Sequence, residues 1–132
     1  MAGYSAKSLA AKLGIKDGMA LYAIDAPKDY RALLGVDAKI ATKPPKGGAD
    51  FVHLFVASRA ALEAKLPAAR KAMKPDGMLW VSWHKKAAKI PTDVTEDVIR
   101  AVALKTDLVD VKVCAISDIW SGLKLMVRKH LR

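Results

Sequence analysis

Three short stretches of this chain are almost continuously apolar: Met19–Ile24 (MALYAI), Asp50–Ala57 (DFVHLFVA) and Met78–Trp83 (MLWVSW). Runs of that length, bounded by turn residues, predict strands buried on both faces. Ser5–Leu13 predicts a short helix, with Leu9 and Leu13 on one face and Gly14 as its C-cap. Tyr30–Leu34 predicts a helical turn closed by Gly35, and Ala38–Thr42 a weak strand at a sheet edge. Lys43–Gly48 (KPPKGG) must be a loop. Ser58 is placed to cap a helix that Pro67 should kink or restart. Lys74–Gly77 (KPDG) predicts a turn, and Lys85–Pro91 a basic connection. Thr92 or Thr95 then opens a helix, where Val94, Val98 and Val102 recur every four residues with Ile99 beside them. Val109–Ile116 and Leu123–Arg128 alternate apolar with polar residues, the mark of half-exposed strands. Ser117–Ser121 joins them into an antiparallel hairpin.

Apolar strands separated by helices imply a parallel sheet covered on both sides, here closed by a hairpin that makes it mixed. The predicted fold is a three-layer, Rossmann-like α/β domain over residues 1–132, with strand order 2-1-3-4-6-5 and strand 6 antiparallel. Its core should hold Leu21, Ile24, Val52, Leu54, Val56, Leu79, Val81, Val98, Val111 and Val113.

Composition narrows the setting. The 132 residues fit one domain, and 52% apolar content supports a core. No run approaches the roughly 20 apolar residues of a membrane span, and Met1–Leu13 lacks the apolar stretch of a signal peptide. Cys114 is the single cysteine, so no internal disulfide can form. These features point to the cytoplasm and away from a membrane. The net charge of +10 favours phosphate-bearing partners, although a solvated basic surface explains it equally.

The strand order and the antiparallel last strand resemble the class I methyltransferase fold. Asp50–Ala57 is similar to that fold's central strand, Lys74–Trp83 (KPDGMLWVSW) to its turn and following strand, and Leu108–Lys129 to its terminal hairpin. The chain also resembles, nearly end to end, a bacterial family of small proteins built on a domain of unknown function. Ala11–Ile15 (AKLGI), Val52–Arg59 (VHLFVASR), Leu79–Lys86 (LWVSWHKK), Pro91–Asp97 (PTDVTED) and Trp120–Lys124 (WSGLK) carry that likeness. It implies no particular activity.

One departure from the methyltransferase pattern is pronounced. That fold follows strand 1 with a glycine-rich turn, because side chains would block the backbone's approach to the cofactor. Here the turn is Asp25-Ala26-Pro27-Lys28-Asp29-Tyr30, without glycine. The acidic residue that would hold a ribose after strand 2 is replaced by Ala41-Thr42-Lys43. Both absences argue against S-adenosylmethionine in its usual pose, and against NAD, so no cofactor is expected.

Open α/β sheets bind ligands beyond the carboxyl ends of strands, where strand order reverses. Between strands 1 and 3 that places Asp25, Pro27, Lys28, Ser58 and Arg59, with Trp83, His84, Lys85 and Lys86 next door. An anionic or nucleotide-like ligand would suit this crevice, with first-turn amides after Ser58 as an anion site. The plainer reading makes Ser58 a helix cap and the cations solvated. His53, inside an apolar run, reads as a hydrogen-bonded interior residue, and His84, at a strand end, as the better functional candidate. No nucleophile–base set and no one-turn histidine pair is present, so neither a catalytic residue nor a metal ligand is assigned. The carboxylates of Thr92–Asp97 read as first-turn helix residues. Trp80 and Trp83 should point to opposite sides of their strand, and Trp120 should sit in the hairpin turn.

The missing glycine loop favours a non-catalytic binding or regulatory domain with a degenerate methyltransferase-like fold, its partner a small anion or a protein. The alternatives are a methyltransferase-like enzyme with an atypical cofactor pose, and a basic nucleic-acid-binding protein.

Overall fold

The computed structural model describes residues 8–132, so Ser5–Lys7 of the first predicted helix lie outside the described residues. The chain runs α1 (Leu9–Leu13), β1 (Leu21–Ile24), α2 (Tyr30–Leu34), β2 (Ile40–Ala41), β3 (Ala49–Phe55), α3 (Arg59–Ala72), β4 (Met73–His84), α4 (Glu96–Ala103), β5 (Leu108–Ala115) and β6 (Trp120–Val127). Short 3₁₀ turns lie at Lys86–Ala88 and Lys129–Leu131. The six strands form one sheet in the order β2-β1-β3-β4-β6-β5. β2, β1, β3 and β4 are parallel, and β6 runs antiparallel to both β4 and β5. Order and direction are those the apolar runs predict.

Strand alternation builds two cores. On β3, Val52 and Leu54 face α3 and α4, where Leu62, Leu66 and Ile99 join them and Leu79 and Val81 of β4 in one buried cluster. Phe51 and Phe55 face the other way, against Ala10 and Leu13 of α1, Tyr30 and Leu34 of α2, and Trp80. Helices therefore cover both faces, and β3 is buried from Phe51 to Phe55, His53 included, because neither face of that stretch meets water. Each large aliphatic side chain buried this way contributes about 1.5–3 kcal/mol. Gly122 serves the second cluster by its smallness: a Cβ there would come within 2.9 Å of Ile116 and 3.2 Å of Trp80.

Several expectations are revised. α3 passes through Pro67 as one helix of 14 residues rather than kinking or restarting. Pro67 and Glu63, four residues earlier, are both exposed, so the carbonyl that loses its donor faces water. The Lys74–Gly77 turn lies inside β4, as a register shift between the pairs Ala49–Met73 and Phe51–Met78. Gly77 allows it, because a Cβ would sit 3.0–3.1 Å from the carbonyl oxygens of Ala49, Asp50 and Lys74. β6 begins at Trp120, three residues before the predicted start. Of the predicted core, Ile24 and Val98 are only partly buried. Val111 and Val113 are outside it, 49% and 45% exposed. The β5–β6 register shifts between Asp110 and Lys112, leaving Val111 without a partner across the ladder. β5 is also the sheet edge, with a neighbour on one side only.

No helix among the described residues is long and apolar enough to cross a membrane.

Candidate functional site

The carboxyl ends of β1, β3 and β4 lie at one edge of the sheet, and the predicted site residues occupy it in three groups. β1 ends at Ile24, and the next residue, Asp25, has φ of 57°. This is the left-handed conformation usually left to glycine, and aspartate is among the few other residues that adopt it readily. The turn that lacks glycine in the sequence thus still has its left-handed residue. Asp25 also forms an ion pair with Lys65 of α3. A cleft of about 460 Å³ opens beside it, lined by Tyr22, Ala23, Ile24, Asp25, Ala26, Tyr30, Arg31, Ile40 and Thr42.

The second group is Ser58 and Arg59, at the start of α3. Ser58 Oγ accepts from the Ala61 amide at 3.1 Å, the predicted cap. The Arg59 amide donates to Asp93 Oδ1 at 2.7 Å, and Thr92 Oγ1 donates to the Ala57 carbonyl at 2.7 Å. Asp93 therefore stands where the sequence suggested an external anion. The Arg59 side chain pairs with Glu63. Of the carboxylates read as first-turn residues, Glu96 and Asp97 do lie in the first turn of α4, behind the Thr95 cap. Asp93 reaches another helix instead.

The third group surrounds the end of β4. Trp83, His84 and Lys86 line a cleft of about 500 Å³ with Lys89, Ile90, Pro91, Thr92, Val94 and Thr95. His84 stacks on Trp120, with ring centroids 4.1 Å apart, and its Nδ1 is buried without a hydrogen-bond partner among the described residues. Burial lowers the pKa of this imidazole below its ordinary value, favouring the neutral ring. Lys28 and Lys85 line neither cleft. The Lys85 amide donates to the Ile119 carbonyl at 2.7 Å, tying the end of β4 to the hairpin turn.

Between these groups, inside the sheet, His53 is fully buried as its apolar surroundings predict. Its Nδ1 lies 2.8 Å from the Tyr30 hydroxyl and its Nε2 2.7 Å from Ser82 Oγ. Burial depresses the ring's pKa to about 3 and raises that of the Tyr30 phenol. A neutral imidazole donates through one nitrogen and accepts through the other, so both ring atoms are satisfied. Trp80 and Trp83 point to opposite faces, and Trp80 Nε1 donates to the Leu13 carbonyl at 3.1 Å.

Sequence reasoning missed Tyr22, Tyr30, Arg31, Thr42 and Lys89 as cleft-lining residues, and Asp93 as the partner of α3. Thr42 carried a signal, because it follows the edge strand directly; the contact between Asp93 and Arg59 spans 34 positions and had none.

No protein-family model matches the chain, and no curated protein matches it. Solved structures do. The chain is similar to the tRNA methyltransferase TrmK of B. subtilis (TM-score 0.58, 14% identity), covering 95% of itself and 67% of that protein. It is similar to LepI in complex with SAM (0.54, 14%), covering 91% of itself and 39% of LepI, which has also been solved with SAH and a substrate analogue. It is similar to the methyltransferase CcbJ of Streptomyces caelestis (0.51, 8%), covering 89% of itself and 82% of that chain. The fold is thus the Rossmann-like fold of class I methyltransferases.

These neighbours correct two expectations from the sequence. A non-catalytic binding or regulatory domain was expected, yet the neighbours named as methyltransferases are enzymes. No cofactor was expected, yet a neighbour of the same fold holds SAM and SAH. The turn after β1 has no glycine and Ala41-Thr42-Lys43 has no acidic residue, but at the first of these Asp25 itself takes the left-handed conformation that glycine adopts readily.

Proposed function

We propose that this chain is a methyltransferase-like enzyme domain that binds S-adenosylmethionine in the Asp25 cleft, in a pose shifted toward β2. The observation that carries the reading is this cleft, at the carboxyl ends of β1 and β2, in a sheet whose topology is shared with a SAM-bound neighbour. Its volume lies within the usual range for small-molecule sites. The donor set fits the ligand's chemistry. Asp25 offers a carboxylate for an ammonium group or ribose hydroxyls. Tyr22 and Thr42 offer hydroxyls, and Ile24 and Ile40 an apolar wall for a purine. The chemistry such a cofactor supplies is a methyl carbon activated by positive sulfur. The shifted pose follows from the neighbouring crevice, where Asp93 takes the first-turn amide of α3 and Lys65 pairs with Asp25. The likeness to the small bacterial proteins belongs to the same proposal. The single free cysteine, Cys114, fits a reducing, cytoplasmic setting.

Calorimetric titration with S-adenosylmethionine and S-adenosylhomocysteine tests the reading. We expect saturable binding of both. Asp25→Ala should weaken it at least about tenfold, or roughly 1.4 kcal/mol. Absence of binding by the folded protein overturns the proposal. Binding that Asp25→Ala leaves unchanged overturns the assigned cleft.

A further inference from the structure

The cleft at the end of β4 is separate from the one assigned to the cofactor, and its chemistry differs. No carboxylate lines it, whereas Lys86 and Lys89 do. Neither lysine forms an ion pair among the described residues, in contrast to Lys65 and Lys74. Lys89 is held at φ of 56°, a left-handed conformation unusual for lysine, at the close of the Lys86–Ala88 turn. The walls are apolar: Trp83, which the core leaves 9% exposed, with Pro91 and Ile90, the last 39% exposed. His84 lines the same cleft, with its ring stacked on Trp120 on the side of β4 opposite Trp83.

An apolar slot beside two unpaired cations describes the two halves of one ligand class. We propose that this cleft binds a nucleotide, its base against Trp83, Ile90 and Pro91 beside His84, and its phosphate on Lys86 and Lys89. Flat aromatic and apolar surface accepts any base, and the lysines act as point charges for phosphate. The ligand is either a free mononucleotide or one unit of a nucleic-acid strand. The overall charge of +10 suits the longer polyanion as well. The inference goes beyond the cofactor reading and does not depend on it, because the two clefts share no lining residue.

The test is an NMR titration of the labelled protein with AMP, adenosine, inorganic phosphate and a single-stranded RNA hexamer, with and without S-adenosylmethionine. We expect saturable shifts at Trp83, His84 and Lys86 with AMP, and affinity at least about tenfold weaker for adenosine and for phosphate alone. The double variant Lys86→Ala/Lys89→Ala should lose about tenfold in AMP affinity while its unfolding midpoint stays put, since both side chains are exposed. Tighter binding of the hexamer than of AMP, falling steeply with salt, identifies a nucleic-acid strand; equal binding identifies a mononucleotide. Equal affinity for adenosine and AMP, shifts confined to the Asp25 cleft, or an unaffected double variant overturns the proposal. Failure of S-adenosylmethionine to bind overturns the cofactor reading alone and leaves this one standing.

Discussion

His53 and His84 lie on adjacent strands, and both are uncharged imidazoles in largely apolar settings, yet they differ in what their nitrogens do. His53 has a hydroxyl on each side, Tyr30 and Ser82, and is packed face to face with Phe55 at 4.2 Å. His84 has an aromatic neighbour but a buried Nδ1 with no partner among the described residues, and the residue borders an open cleft. A satisfied buried polar group specifies a core, whereas an unsatisfied one leaves its desolvation cost uncompensated. Sequence position alone does not separate the two. What separates them is the register that sets Ser82 beside the β3 strand and the helix that brings Tyr30 to it.

The sharpest way to break that contrast is to remove each ring. His53→Ala leaves a cavity and strands two buried hydroxyls, so we expect a loss of about 3–5 kcal/mol in chemical denaturation. His84→Ala removes a half-buried ring that makes no hydrogen bond with its buried nitrogen, and should cost less than about 1 kcal/mol. Equal losses would mean that His84 is as structural as His53.

Acid separates the residues next. The folded pKa of His53, about 3, lies below its ordinary value of 6.5, so between those values the unfolded chain binds the extra proton. Its contribution to stability is complete above pH 6.5 and is lost as pH falls toward 3, at up to about 1.4 kcal/mol per pH unit. Asp107 and Asp110 are held low by their arginine partners Arg70 and Arg100, and they lose stabilisation only below their ordinary value of 3.8. Denaturation midpoints at pH 7, 6, 5 and 4.5 should therefore trace the histidines. His84, also shifted downward, adds to the slope. His53→Gln should flatten most of it and His84→Ala a smaller part. A slope that survives both changes would place the acid sensitivity elsewhere.

How much of this was readable in advance depended on range. The apolar runs 19–24, 50–57 and 78–83 identify β1, β3 and β4 because both faces of each are covered, and the strand order is the one predicted. Ser58 as a cap and His53 as an interior residue are local facts and were legible. The Asp25 turn misled because a turn without glycine was taken as closed to a cofactor, and no local pattern shows that Asp25 itself takes the left-handed conformation. Asp93 instead holds the start of α3, and no local pattern encodes a contact between a loop and a helix 34 residues away.

The smallest expected effect sharpens the same point at the sheet edge. Alternation along Val109–Ile116 assigned Val111 and Val113 to the core, on the assumption of an unbroken ladder. The register shift at Asp110–Lys112 leaves Val111 outside the ladder, and Val113, although paired with the buried Leu123, sits half-exposed on the outermost strand. Replacing valine by threonine keeps the shape and adds a hydroxyl. At a buried position that hydroxyl would lack water and cost about 1–3 kcal/mol. At an exposed edge it is solvated, and threonine suits a strand as well as valine does. Val111→Thr and Val113→Thr should each shift the unfolding free energy by less than about 0.5 kcal/mol. Leu123→Thr, one strand inward, serves as the buried reference and should cost several times more. A large loss at Val111 or Val113 would mean that something covers this edge in solution, and a second copy of the chain pairing along β5 would be the first occupant to test by sedimentation.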